Sequence, residues 1–325
     1  MRSIVLPLPG NEQLAGSLVA QLDAELGKFT IRRFPDGETY VRIETPIADH
    51  SIILVATLDR PDERIMPLIL LAATARDLGA AQVGLVAPYL AYMRQDHRFN
   101  AGEGVTSVYF AKLLSSFVDW LVTVDPHLHR RSSLAEIYPI PTTVVHAAPR
   151  ISEWIRANVK NAVLIGPDNE SAQWASAVAR EAGAPCVVLE KFRHGDREVE
   201  VTVPSVEGLR DYTPVLVDDI ISTARTMIET IEHLKRAGLT PPVCIGVHAV
   251  FARAAYEELL AAGPARIVTC NTITHSSNAI DIADLLADGV RETQGSFQAA
   301  MNLLSEKKYS HEQVIGSDAS GSKDR

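Results

Sequence analysis

Short apolar runs alternate along the chain with longer segments in which apolar residues recur every three or four positions. Several runs are continuously apolar, which is typical of parallel strands buried on both faces, and the periodic segments predict amphipathic helices. This alternation predicts an α/β fold with mostly parallel sheets. The predicted strands are 4–8, 30–33, 52–56, 83–87, 120–124, 143–145, 162–165, 186–189, 215–217, 244–248 and 267–270, and the predicted helices are 63–78, 107–116, 171–182, 225–236 and 252–262.

The strand and helix pattern restarts after the turn-forming segment YPIPT, so we predict a domain boundary there. The predicted domains are 1–142 and 143–304, and their similar length and layout favour two similar Rossmann-like units. The remaining residues, 305–325, end in GSDASGSKDR, which is polar and rich in Ser and Gly. We predict a disordered tail there.

Length, charge and cysteine content narrow the class of protein. A chain of 325 residues is too long for one ordinary core, and its net charge of -9 argues against non-specific nucleic-acid binding. No apolar run is long enough to span a bilayer, and the N-terminus lacks the regions of a signal peptide. Cys186, Cys244 and Cys270 are few and widely spaced, as in a reducing compartment. These features predict a soluble cytoplasmic protein without a membrane or nucleic-acid partner.

The stretch VLVDDIISTARTM, residues 215–227, places two adjacent carboxylates after a predicted buried strand and before a predicted helix. Ligands of open α/β sheets bind at the carboxyl ends of strands, and a helix start favours an anion. Asp218 and Asp219 would repel a phosphate, but they suit the vicinal hydroxyls of a sugar or a magnesium ion.

The residues that follow are hydroxyl-bearing, since Ser222, Thr223 and Thr226 can donate to a phosphate next to the sugar. Together the two halves of the stretch predict a sugar phosphate site. The alternative is that one Asp turns the chain and Ser222 or Thr223 caps the helix, with no ligand bound.

Further segments in the same order as in one enzyme family accompany this stretch. They are RFPDGETYVRI at 33–43, PYLAYMRQDHRFNAGEGVTS at 88–107, TVDPHLH at 123–129, EKFRHGDREVEVTVPSV at 190–206 and, less completely, GPDNESA at 166–172. The set resembles ribose-phosphate pyrophosphokinases over about residues 30–290, and NAGEGVTS and DDIIST are closer to the archaeal-type branch. The resemblance implies two phosphoribosyltransferase-like domains.

The same resemblance implies an activity, a cofactor and partners. These enzymes transfer a diphosphoryl group from MgATP to O1 of ribose 5-phosphate, which gives phosphoribosyl pyrophosphate (PRPP) and AMP. The implied cofactor is Mg2+, the implied ligands are ATP and ribose 5-phosphate, and the implied assembly is a homo-oligomer with the ATP site near a subunit interface.

The resemblance also assigns roles to individual positions of this chain. The implied catalytic residues are Lys191, Arg193 and His127, and the implied metal-binding residues are His127 and Asp168. Phe34, Asp36, Glu38, Arg94 and Gln95 are implied in ATP binding, and Asp218, Asp219, Ser222, Thr223, Ala224, Arg225 and Thr226 in ribose 5-phosphate binding.

The chemistry of the imidazole group allows other roles for His127 and His129. Imidazole is not a preferred magnesium ligand, so His127 could act through water or phosphate, and the H-x-H spacing could hold a transition metal. No third ligand is evident from the sequence, so we predict that His129 is ordinary loop surface.

Two pairs of residues depart from the family pattern, and Ser222 replaces an acid found in many members, although the archaeal-type branch shares this serine. Ala224 and Arg225 stand where the family has glycines, and Glu170 and Ser171 stand where it has small residues. Because a left-handed Ala costs roughly 1–2 kcal/mol, we predict that Ala224 keeps a negative φ. Two other functions stay open: a regulatory paralogue without turnover, and a phosphoribosyltransferase that consumes PRPP, which shares only the 215–227 stretch.

Overall fold

The computed structural model describes the backbone of residues 2–166, 172–188, 190–194, 198–202 and 206–318. It describes the side chains of residues 2–166, 174–188 and 208–302. The fold consists of two parallel sheets with helices packed on them, and it also contains two antiparallel hairpins of two strands each.

Residues 3–145 form the first sheet and its helices. Its elements are β1 (Ser3–Pro7), α1 (Glu12–Leu22), β2 (Glu25–Leu26), β3 (Phe29–Arg33), β4 (Thr39–Ile43), β5 (Ser51–Val55), α2 (Pro61–Asp77), β6 (Gln82–Ala87), α3 (Thr106–Ser115), β7 (Trp120–Val124) and β8 (Thr142–Val145). The strand order is β2-β1-β5-β6-β7-β8, and all neighbours are parallel. Every residue of β5, β6 and β7 is buried, as their continuous apolar runs predict.

Residues 148–318 form the second sheet and the remaining helices. These elements are α4 (Ala148–Asn158), β9 (Ala162–Gly166), α5 (Ala172–Ala182), β10 (Cys186–Val188), β11 (Glu190–His194), β12 (Glu198–Thr202), β13 (Thr213–Ile220), α6 (Arg225–Arg236), β14 (Val243–His248), α7 (Ala255–Ala261), β15 (Arg266–Cys270), β16 (Asn278–Ile280) and α8 (Ala283–Asp318). The strand order is β10-β9-β13-β14-β15-β16, again with parallel neighbours.

Helix α6 shows how the local pattern produces the local structure. Its buried residues are Met227, Thr230, Ile231 and Leu234, which recur at the three- and four-residue spacing of one helix face. The chain leaves the helix through Gly238, whose φ of 74° suits a residue without a side chain. The predicted bounds of this helix agree with the structure.

Helix α8 connects the end of the chain to the first sheet. A Cβ on Gly289 would lie 2.8 Å from Val145 and 3.0 Å from Val122, so the helix backbone approaches strands β7 and β8 closely. Thr293 Oγ1 donates to Thr143 Oγ1 at 2.7 Å on the same side. One buried core therefore contains residues of both sheets.

The predicted α/β fold with two similar parallel sheets is confirmed. The predicted boundary at 142/143 falls at the start of β8, which pairs with β7 and belongs to the first sheet. The predicted disordered tail begins inside α8, which extends to Asp318. The segment SEKKYSHEQV, which precedes the terminal Ser and Gly residues, contains Glu, Lys and Gln, which favour a helix. Among the described residues, no helix is both long and apolar enough to cross a bilayer.

Candidate active site

The carboxyl ends of β7 and β13 meet at the edge between the two sheets. Strand β13 runs to Ile220, three residues beyond the predicted end, so Asp218 and Asp219 lie on the strand just before its last residue. His127 follows β7 and reaches across, with its Nδ1 2.7 Å from Oδ2 of Asp219. The structure thus brings together two residues, 92 positions apart, that the sequence had placed in separate domains.

His129 joins the same contact. Its Nε2 lies 3.0 Å from Nδ1 of His127 and 3.6 Å from Oδ2 of Asp219. His129 is an exposed loop residue, as predicted, but it is also part of this cluster, because Asp219 supplies the third group that the H-x-H motif lacks in sequence. The side chains of His127 and His129 form an edge-to-face pair with ring centroids 4.1 Å apart.

Asp219 is held as a carboxylate at this site. Burial opposes its ionisation, but hydrogen bonds from His127 and His129 and the charge of His127 outweigh burial, so its pKa lies below the ordinary value. An ionised carboxylate only accepts hydrogen bonds, so Asp219 can receive them from hydroxyl groups at this site.

A small cavity of about 190 Å³ lies over residues 218–226, and we call it the loop cavity. Arg94 from the first sheet's side lines it together with Asp218, Asp219 and the two histidines. The remaining lining residues are Ile220, Ile221, Ser222, Thr223, Ala224, Arg225, Thr226 and Met227. All seven residues predicted to bind the sugar phosphate therefore face one space, and a predicted ATP residue joins them.

Ala224 adopts the left-handed conformation, with φ 56° and ψ 4°. The prediction of a negative φ is wrong. The carbonyl of Ala224 accepts from Ile228 N at 2.9 Å and starts α6, and its methyl group is buried against the apolar cluster of Ile221 and Met227. The sharp turn from β13 into α6 imposes the conformation, and burial of the methyl group offsets part of its cost.

A wider cavity of about 610 Å³ opens on the other side of the histidines, and we call it the wide cavity. Asp125 forms one wall and is tied to two groups: His146 Nδ1 lies 2.8 Å from Oδ1, and Ala147 N donates to Oδ2 at 2.8 Å. The hydrogen bond with Asp125 raises the pKa of His146. Trp174 of α5 contributes an apolar wall.

A buried histidine that the sequence analysis did not single out lies beneath the site. His248, at the end of β14, places Nε2 3.1 Å from the carbonyl of Val124 and 3.3 Å from that of Asp125. Its Nδ1 lies 2.9 Å from Oγ1 of Thr272. A histidine at the carboxyl end of a predicted buried strand is the signal that could have identified it.

The predicted nucleotide residues occupy separate places. Phe34, Asp36 and Glu38 lie on the β3–β4 hairpin, and among the residues that line the two cavities none comes from that hairpin. Phe34 is 39% exposed, and the guanidinium of Arg32 lies 4.6 Å from its ring centroid. Gln95 turns away from both cavities, since its side chain accepts from Thr106 Oγ1 at 2.9 Å.

The structure does not describe the side chains of three residues that were predicted to belong to the site. Asp168 lies outside the described residues. Lys191 and Arg193 are on β11, which pairs with β12 as the predicted hairpin, but their side chains lie outside the described part.

Comparison with known proteins identifies the family. The model of the phosphoribosyl transferase domain matches residues 133–285, and the model of the N-terminal domain of ribose phosphate pyrophosphokinase matches residues 4–117. The ribose-phosphate pyrophosphokinase of Methanopyrus kandleri is 34% identical over 295 residues, which cover 90% of this chain and 100% of that protein. The ribose-phosphate pyrophosphokinase of Saccharolobus solfataricus is 32% identical over 274 residues, which cover 83% of this chain and 92% of that protein.

A solved structure agrees with the fold. The crystal structure of phosphoribosylpyrophosphate synthetase from Mycobacterium smegmatis has a TM-score of 0.78 at 21% identity, covering 91% of this chain and 100% of that one. At this identity the likeness establishes the fold. The family predicted from the sequence segments is confirmed, because a chain that matches such relatives over nearly their whole length belongs to the ribose-phosphate pyrophosphokinase family.

Proposed function

We propose that this chain transfers the diphosphoryl group of ATP to O1 of ribose 5-phosphate and releases AMP. The observation that carries the proposal is the 2.7 Å contact between His127 and Asp219 beside a loop rich in hydroxyl groups. This contact joins a nucleotide-side residue of the first sheet to a sugar-side residue of the second. The two substrates of such a transfer would meet at that edge.

The loop cavity suits the sugar phosphate. Its volume of about 190 Å³ is well below the range of roughly 300–1,000 Å³ that is usual for larger ligands, so it fits a small phosphorylated sugar. The carboxylate of Asp219 would accept from the ribose hydroxyls. Ser222, Thr223 and the amides at the start of α6 would hold the 5-phosphate, since a helix start offers unpaired N–H groups.

The nucleotide would enter from the first sheet's side. Arg94 is exposed and lines the loop cavity, where its guanidinium would meet phosphate oxygens. The hairpin residues Phe34, Asp36 and Glu38 line neither cavity of their own chain. We therefore propose a homo-oligomer in which the hairpin binds the adenine of a neighbouring chain's ATP.

A magnesium ion fits the oxygen donors at this edge. The carboxylates of Asp218 and Asp219 are the hard ligands that Mg2+ prefers, whereas His127 would contact the ion through water or phosphate. Asp168 is the further ligand that the family resemblance implies. When bound, the ion would neutralise charge on the triphosphate.

The residues of the chain then act by positioning and by charge. O1 of the sugar bonds to the β-phosphorus while the bond from that phosphorus to the α–β bridging oxygen breaks, and AMP departs with that oxygen. The proton of O1 passes to solvent water as the new bond forms. Asp219, held as a carboxylate by its hydrogen bonds with His127 and His129, would orient the sugar hydroxyls. Lys191 and Arg193 on the β11–β12 hairpin would stabilise the migrating group.

The test is an assay of AMP and PRPP with purified protein, ATP, ribose 5-phosphate and magnesium. We expect equal amounts of both products, and we expect none when the sugar is omitted or a chelator is in excess. A folded protein that binds ribose 5-phosphate but releases no AMP would be the regulatory paralogue. Consumption of added PRPP with a nucleobase would identify a phosphoribosyltransferase.

We also propose a cellular compartment for the protein. Cys186, Cys244 and Cys270 are all free thiols, and Cys244 and Cys270 are buried. Free thiols and the use of ATP both support a cytoplasmic location, which subcellular fractionation with an antibody to the chain would test.

A further inference from the structure

The side chains of His127, His129 and Asp219 converge on one point. The three atoms involved, Nδ1 of His127, Nε2 of His129 and Oδ2 of Asp219, form a triangle with edges of 2.7, 3.0 and 3.6 Å. Among the described residues, this is the group of His, Cys, Asp and Glu side chains whose ligand atoms come near enough together to hold an ion.

The triangle has the size that a tetrahedral ion needs. Zinc bonds of about 2.0–2.2 Å place neighbouring ligand atoms roughly 3.3 Å apart. The observed edges of 2.7, 3.0 and 3.6 Å lie on both sides of that spacing. Rotation of the two imidazoles by a small angle is therefore sufficient to admit an ion.

The donor types select the class of ion. Two imidazole nitrogens and one carboxylate oxygen are ligands of Zn2+ and Co2+, whereas Mg2+ prefers an octahedron of oxygens. His129 makes the difference, because it adds a second nitrogen to a site that otherwise offers one.

The backbone holds the three ligands in place. His127 N donates to the carbonyl of Asp125 at 2.9 Å, and His129 N donates to the carbonyl of His127 at 3.1 Å, so two successive tight turns fix the motif. Asp125 and His127 have φ values of 33° and 56° in these turns. Asp219 is held by the pairing of β13 with β14 on both sides of it. Ligands fixed in advance lose little freedom when an ion binds.

We propose that His127, His129 and Asp219 form a site for a divalent transition metal ion such as Zn2+ or Co2+, and that this ion excludes ribose 5-phosphate. The exclusion rests on the proposed function, since Asp219 would accept from the sugar hydroxyls. An ion bound to Oδ2 of Asp219 would lie beside both cavities, since His127, His129 and Asp219 line the loop cavity and the wide cavity alike.

Cobalt provides a direct test that does not depend on turnover. Metal-free full-length protein is titrated with Co2+ and the visible absorption is recorded, because four-coordinate cobalt absorbs far more strongly than six-coordinate cobalt. We expect one equivalent to give the strong bands and Zn2+ to abolish them. His129→Ala should weaken cobalt binding at least tenfold, and His129→Gln is a second variant should the first fail to fold.

His146→Ala is the matched control. His146 also lines the wide cavity, but it is paired with Asp125 and stands outside the triangle. We expect this variant to keep the bands. Absence of strong bands in the unmodified protein would overturn the site, and so would equal losses in His129→Ala and His146→Ala.

Addition of ribose 5-phosphate tests the exclusion separately. We expect it to raise the apparent dissociation constant of cobalt in proportion to the sugar concentration. An unchanged constant, under conditions where the sugar is shown to bind by calorimetry, would refute the exclusion while the metal site stands. Strong bands in a protein without any AMP release would refute the proposed function and leave the metal site intact.

Discussion

Nε2 of His248 lies 3.1 Å from the carbonyl oxygen of Val124, across the junction of the two sheets. A carbonyl oxygen only accepts, so Nε2 carries the hydrogen and donates it. Burial lowers the pKa of His248, which favours the neutral imidazole in this place. The bond attaches the end of β7, from which Asp125 and His127 follow, to the end of β14.

The first prediction concerns this bond. His248→Leu has a similar size but leaves the buried carbonyl of Val124 without its donor, which costs about 1–3 kcal/mol. We expect the free energy of unfolding to fall by that amount in a urea titration. We also expect turnover to fall more than ribose 5-phosphate affinity, because His127 loses its support. His233→Leu, on the partly exposed side of α6, is the control, and an equal loss there would contradict the assignment.

The second prediction concerns pH. In the unfolded chain a histidine has its ordinary pKa of about 6.5, and burial places that of His248 lower in the folded state. Below about pH 6.5 the unfolded chain therefore binds more protons at this position, and stability falls as the pH falls. His248→Gln should make the free energy of unfolding less dependent on pH in that window.

His146 provides a control of opposite sign. Its hydrogen bond with Asp125 raises its pKa in the folded state, so it adds stability below about pH 6.5 that is lost as the pH rises through the raised value. His146→Gln should therefore abolish a loss of stability with rising pH above about pH 6.5, and it should leave unchanged the slope below that pH, which His248→Gln reduces. The same change of slope in both variants would show that neither histidine carries the effect.

The third prediction concerns Ala224. Ala224→Gly removes the strain of a left-handed alanine. It also removes a buried methyl group and increases the conformational entropy of the unfolded chain, and both changes lower stability. These opposing effects nearly cancel, so we expect the free energy of unfolding to change by less than about 1 kcal/mol. Ala224→Val places a β-branched residue at φ 56° and should cost more than about 2 kcal/mol. Tolerance of valine in a denaturant titration would argue against the left-handed turn.

The fourth prediction concerns the β11–β12 hairpin. Positions 191 and 193 lie two apart on strand β11, which pairs with β12. Lys191→Ala should lower turnover by orders of magnitude and leave ribose 5-phosphate binding nearly unchanged, because it acts on charge that develops during transfer. Lys160→Ala, at an exposed position after α4, is the control. Turnover within a few-fold of normal in Lys191→Ala would refute the role.

The fifth prediction concerns assembly. If Phe34 of one chain binds the adenine of its neighbour, Phe34→Ala and Lys191→Ala damage different sites in a mixed oligomer. We expect each variant alone to be nearly inactive, and we expect activity to return when the two are unfolded together and refolded as a mixture. No recovery, with mixing proved by differently tagged chains, would place a complete site within one chain.

The buried strands and helix α6 follow directly from the sequence, because continuous apolar runs and a helical stripe depend on neighbouring residues alone. Helix α1 (Glu12–Leu22) is absent from the prediction although Asn11 is a favoured N-cap residue. In the structure the Asn11 side chain does not cap the helix, because it donates to Leu8 and accepts from Thr57. The pairing of His129 with Asp219 was beyond reach for another reason. It joins the ends of two strands from different sheets, and their relative placement depends on the packing of the whole chain.

The resemblance to a family contributed what periodicity alone could not. It assigned Arg94 to ATP and the loop at 218–226 to the sugar phosphate, and in the structure both line the loop cavity. It also supplied the expectation about Ala224 that proved wrong, because the turn of this chain keeps the left-handed path that glycine would take. Alanine in place of glycine at position 224 therefore changes the conformational energy of the turn but not its backbone path.

The contact of helix α8 with Val122 and Val145 has a consequence for how the protein is made. A ribosome releases the first sheet long before this helix exists, since about 150 residues separate β8 from the middle of α8. At roughly 5–20 residues per second, an apolar face of the nascent sheet stays uncovered for roughly 8–30 s. That interval is long enough for a chaperone to bind. Nascent chains stalled before residue 283 should therefore bind holdase chaperones, whereas the folded full-length protein should not.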